Sequence, residues 1–160
     1  MSAVLKEEDR AKDQARSQHE CICEMVAALS CDYDRLEGLQ DENDNQALAE
    51  DESLELLALQ EAAGDCTNQE QALERIHEDP LSVEVRSGWY TPGDEHPPEE
   101  FSILLCTGGP AVRIRGELGE HNEPRRAWLE YQDWGTPWTQ YYDTEQDTLL
   151  AYCSQFFYGE

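Results

Sequence analysis

Apolar positions divide this chain into two stretches with different periods. In the first, Ile22, Val26, Leu29, Tyr33 and Leu36 recur at alternating steps of four and three. That is one apolar stripe of a helix. The residues ahead of it, Lys6 to Gln18, are almost all polar, so this extension is expected to fray or stand exposed. The run DENDN at 41–45 favours caps and turns and interrupts the pattern. A second helix is predicted over about 46–63, with Leu48, Leu54, Leu57 and Ala58 toward a core and Gly64-Asp65 at its end. Thr67-Asn68-Gln69-Glu70 matches a capping box, opening a short helix with Leu73 and Ile76 inside.

Beyond Asp79-Pro80 the period drops to two. SVEVRSGWY (82–90) alternates, with Val83 and Val85 on one face. FSILLC (101–106) is more continuously apolar, as suits a central strand. AVRIRGEL (111–118) and RRAWLEYQDW (125–134) alternate again. The intervening segments are too short for crossovers, so the sheet is predicted to be an antiparallel meander of four strands. In the last stretch Leu149, Leu150, Cys153, Phe156 and Phe157 lie at helical spacing, which predicts a closing helix on the sheet. Helices followed by strands argue for an α+β fold. The predicted division is an acidic helical region at 1–79, a hairpin plus a short helix, and a β-meander with its closing helix at 80–160. Proline pushes the residue before it out of the helical region, which makes Asp79-Pro80 the natural seam.

Charge changes what this fold can be for. The 160 residues hold 36 Asp plus Glu against 11 Lys plus Arg, a formal net charge of −25. A small domain needs a net charge magnitude of only about 2–8 for solubility. The excess repels itself and destabilises the compact state. The first region has a net charge of −16 and the second −9, whereas 13 of the 14 aromatic residues lie beyond residue 80. Scattered, scarce basic residues argue against direct contact with nucleic acid and with anionic membranes. No apolar run approaches the ~20 residues of a membrane span. The N-terminal MSAVLKEEDR lacks the apolar core of a signal peptide, so a cytoplasmic location is expected. In that compartment the six cysteines read as free thiols.

The candidate sites follow from this. Asp41, Glu42, Asp44, Glu50, Asp51, Glu52 and Glu55 set seven carboxylates in fifteen positions that contain no Lys or Arg. Carboxylates three or four residues apart on a helix are about 5–6 Å apart. Duplex DNA carries about one charge per 1.7 Å of axis. A rigid acidic helix can therefore compete for a Lys/Arg groove built for phosphates, although a charge run also serves as a plain solvated face. The second candidate is DWGTPWTQYY (133–142), in which Trp134, Trp138, Tyr141 and Tyr142 read either as core or as binding anchors. An intermediate case packs Trp134 and presents Trp138 or Tyr141. CTGGPA (106–111) reads as a hairpin turn, since no helix follows to bind phosphate. His19 and Cys23 have a helical spacing suited to a metal but lack two further ligands, so no metal and no cofactor are predicted. Catalytic signatures of the GxSxG, HExxH and P-loop kind are absent from the sequence, and the chain is not expected to be an enzyme.

The stretch LLCTGGPAVRIRGELGEHNEPRRAWLEYQDWGTPW, running into DTLLAYCSQFFYGE, resembles small acidic proteins encoded by phages and other mobile elements of proteobacteria. The resemblance spans roughly residues 80–160 and, more loosely, the helix MVAALSCDYDRLEGL. It carries over no activity and no site residues. It implies a context, the host cytoplasm, in which such proteins often include antirestriction and anti-CRISPR inhibitors that mimic nucleic acid. That implication is an analogy. The expected function is inhibition of a basic DNA- or RNA-binding host defence protein, a restriction or CRISPR effector. The alternative is a non-inhibitory interaction or assembly module that forms a homodimer through the Ile22–Leu36 stripe.

Overall fold

The computed structural model describes the backbone of residues 3–159 and the side chains from Asp9 onward. The element order is α1 (Ala3–Ser30), α2 (Tyr33–Asp44), α3 (Glu50–Ala63), α4 (Gln69–Glu78), β1 (Ser82–Arg86), β2 (Glu100–Cys106), β3 (Ala111–Leu118), β4 (Pro124–Gln132), β5 (Thr139–Tyr141) and α5 (Gln146–Cys153). The fold is α+β. Its sheet is antiparallel and runs β1-β2-β3-β4-β5 in chain order.

The sheet has five strands where four were expected. Thr139, Gln140 and Tyr141 pair with Tyr131, Glu130 and Leu129 of β4. Three residues beside Gly135 and Pro137 are too few to show an alternation of their own. Pairing with β4 makes them a strand, and propensity does not.

One face of the sheet is apolar. Ile103, Ile114, Leu129 and Tyr141 line up across four strands, each no more than 4% exposed. Beside that row Phe101 lies over Gly116, where any Cβ would run into the Phe101 ring and the Arg126 carbonyl. Helix α1 covers this face with Ala15, Ile22 and Met25, and α5 adds Leu149, Tyr152 and Cys153. Ile76 of α4 joins the same core. The core therefore draws on both sides of Asp79-Pro80, and Tyr152 donates a 2.7 Å hydrogen bond to the Asp79 carboxylate at that seam.

The polar-looking start of α1 is not free. Ala11 and Ala15 are fully buried, small enough to let the helix lie close to the strands. Arg10 grips Asp133 through Nε and Nη2, at 3.0 and 2.7 Å to Oδ2.

The predicted single helix through Leu36 is two helices. Asp32 caps α2 by accepting from the Arg35 amide at 3.1 Å, and the Tyr33 hydroxyl turns back to the Ala28 carbonyl at 2.6 Å. A residue that offers the backbone its own acceptor ends one helix and starts another. Much of the stripe is spent inside the chain: Ile22 is fully buried and Leu36 is 7% exposed, while Val26, Leu29 and Tyr33 are half-buried against the two cores. The cap of α4 sits one residue later than expected. Asn68 accepts from the Gln71 amide, while the Gln71 side chain accepts from Thr67.

Candidate protein-binding surface

Helices α2 and α3 form a hairpin with a small core of its own, made of Leu36, Leu39, Leu56 and Ala63. Tyr33, Leu48 and Leu59 pack around it. Gly64, at φ +57°, ends α3 in a conformation that glycine adopts without strain. Leu54 and Leu57, expected inside, point outward at 66% and 62% exposure. Leucines occur at 54, 56, 57 and 59, so two stripes compete; the one that meets Leu36 and Leu39 of α2 is buried.

This hairpin gathers all seven predicted carboxylates. Asp41, Glu42 and Asp44 occupy the end of α2, and Glu50, Asp51, Glu52 and Glu55 the start of α3. Six are exposed and Glu52 is half-buried. In the first turn of α3, acids are favoured by the helix dipole, and Glu52 also accepts from the Ala49 amide at 3.4 Å. At the end of α2 the same dipole opposes Asp41 and Asp44, and no basic residue offsets them in that turn.

One cation enters the cluster. Arg35 makes a bidentate pair with Glu55, at 3.0 and 3.1 Å, and approaches Glu52 at 4.0 Å. Its hydrogen bond holds the Glu55 carboxyl below the ordinary range. Glu42 shows the opposite effect. A hydrogen bond to Glu52, and the like charge there, hold the Glu42 carboxyl above its ordinary value. Acidic groups from two helices are thus pressed together.

The aromatic segment divides differently from the intermediate case drawn from sequence. Tyr141 is 4% exposed because β5 turns it onto the inner face beside Leu129. It belongs to the core and is unavailable to a partner. Trp138 is half-buried, with the Arg113 guanidinium 3.9 Å from its ring centre. Trp134 and Tyr142 are the presented members, at 75% and 79% exposure. The turn Asp133–Thr136 sets Trp134 outward, with its amide donating to Asp133 Oδ1 at 2.8 Å.

Trp89 escaped the sequence reading. It is fully exposed just beyond β1, next to Tyr90, whose ring stacks on His96 at 4.4 Å. The sequence signal for it is a tryptophan between Gly88 and Pro92, just past the alternating run of β1.

Basic residues are largely neutralised within the chain. On the outer face of the sheet Arg86 pairs with Glu100, Arg113 with Glu130 and Arg126 with Glu117. Arg115 reaches Glu100 at 3.4 Å. Among the described residues no group of three His, Cys, Asp or Glu is arranged to hold a metal ion. Burial raises the thiols of Cys21, Cys23, Cys31, Cys106 and Cys153 above their ordinary value. No described helix is long and apolar enough to cross a membrane.

Comparison with protein families, curated proteins and solved structures finds no match.

Proposed function

We propose that the protein is an inhibitor that presents the α2–α3 hairpin to a basic nucleic-acid-binding surface of a host defence protein, a restriction or CRISPR effector. The observation that carries this reading is the placement of Asp41 and Asp44 at the C-terminal end of α2, a short connection away from the acids that open α3. Each such charge costs that helix about 0.3–1 kcal/mol against its dipole. Glu42 shares this crowding: a hydrogen bond to Glu52, and then its like charge, raise the Glu42 carboxyl. A solvated face gains nothing from this arrangement. A phosphate-like array does, because a Lys/Arg groove recovers the cost on binding and releases its counterions.

Leu54 and Leu57 stand among these carboxylates and supply desolvated contact area, which charge alone lacks. The carboxylates set approach rate and orientation, and the leucines slow release. Converting Glu50, Asp51, Glu52 and Glu55 to Lys abolishes inhibition on this reading while the fold persists. Retained inhibition overturns the mimic mechanism. The assembly-module alternative gains less support, since Ile22 and Leu36 of its stripe are buried in the chain's own cores.

A further inference from the structure

The sheet has two edges, and they differ. Strand β5 is three residues long, whereas β1 runs from Ser82 to Arg86 with only β2 beside it. An open edge presents unpaired N–H and C=O groups and is normally blunted by proline, a bulge or like charges. Within Ser82–Arg86 there is neither proline nor bulge, and the two charges, Glu84 and Arg86, have opposite sign.

Exposed apolar groups follow this edge at a fixed interval. Leu81, Val85 and Trp89 are 60%, 46% and fully exposed. Val83 and Val85 lie across from Ile103 and Phe101, on the helix-covered side of the sheet. Leu81 immediately precedes the strand at a bend, and Trp89 lies three residues beyond its end. The helices leave all three uncovered.

We propose that two copies of this chain join through their β1 edges, antiparallel about a two-fold axis at Val85, into one continuous ten-stranded sheet. In that register Val85 meets Val85 of the second copy. Glu84 stands opposite Arg86, and Leu81 opposite Trp89, each pair occurring twice. Moving the axis one residue, to Glu84 or Arg86, sets like charges face to face. An isologous contact must be self-complementary, and this segment is so about Val85. The occupant is a second copy because the segment supplies its own opposite charges: Glu84 meets Arg86 in both pairs, and Arg86, already paired with Glu100 in its own chain, is then shared between two carboxylates. The proposal makes no use of the α2–α3 hairpin, and either can fail alone.

Sedimentation equilibrium of the full chain at moderate salt tests it. The expected mass is twice that of the chain. Glu84→Arg places Arg opposite Arg in both pairs and weakens the dimer by roughly tenfold or more, as does Val85→Lys. Adding Arg86→Glu to Glu84→Arg restores opposite charges and recovers association. Circular dichroism confirms that each variant is folded; should Val85→Lys fail to fold, the charge-swap pair decides. A monomer at every concentration overturns the proposal. So does a dimer indifferent to the swap, or association that appears only when a basic peptide is added.

Discussion

Arg10 and Asp133 are 123 residues apart and meet at 2.7 Å, the guanidinium half in solvent and the carboxylate sealed from it. Asp133 is the one buried charged side chain among the described residues. Burial alone would push its carboxyl up, but hydrogen bonds from Arg10 and the Trp134 amide outweigh that and hold it below the usual range. The contact fastens the start of α1 to the β4–β5 turn, which also sets the direction of Trp134.

Acid should therefore loosen this fastening. A carboxyl depressed in the folded state contributes stability above its unfolded value of about 3.9, and loses it as pH falls through the lower folded value. Melting temperatures of the native protein should fall over that window, and Asp133→Asn should flatten the fall. At neutral pH Asp133→Ala should cost about 1–3 kcal/mol, measured by urea unfolding. An unchanged acid profile in the Asn variant would assign the loss to other carboxylates.

Alkali acts through the other end of the core. Burial, then the Asp79 hydrogen bond, raise the Tyr152 hydroxyl, and burial raises the Cys153 thiol. Both groups stay neutral when folded. Unfolded, they ionise near about pH 10 and 8.5. The folded state then holds more protons, so stability should fall as pH rises through that range. Cys153→Ala should remove a share of the earlier part of the fall, seen in melting curves between about pH 8 and 10, with the other raised thiols supplying the rest.

Gly116 is held small by its neighbours. A methyl there meets the Phe101 ring and the Arg126 carbonyl, and the backbone cannot yield as a side-chain tip does. Gly116→Ala should destabilise by about 1–3 kcal/mol. The paired variant Gly116→Ala with Phe101→Leu should recover part of this, because it relieves one of the two clashes.

Arg35 separates stability from binding in the hairpin. Exposed pairs such as Arg35–Glu55 contribute little to stability. Arg35→Ala should leave the melting temperature nearly unchanged and free Glu52 and Glu55 for a basic partner. Affinity for that partner should rise and become more salt-dependent.

Alternation made β3 readable in the sequence, with Val112 and Ile114 turned inward, and the continuous apolar run of β2 marked a strand with neighbours on both sides. The acidic cluster was equally plain, since charge needs no tertiary context. What stayed hidden depended on a neighbour. Leu56 rather than Leu57 is buried because α2 folds back on that side. Tyr141 is core and Trp134 is surface because three residues pair with β4. The buried start of α1 uses Ala11 and Ala15, which carry too little apolar area to mark a stripe. Arg10 gave no sign of a partner 123 residues away.

The most direct test of the inhibitor reading is elution by duplex DNA. Host lysate is passed over the immobilised protein, then over the Glu50, Asp51, Glu52, Glu55→Lys variant, and the bound proteins are identified by mass spectrometry. The predicted result is a nucleic-acid-binding defence effector that is released by DNA and by high salt and is missing from the variant. An effector held equally by the variant, or no basic protein released by DNA, would contradict the account.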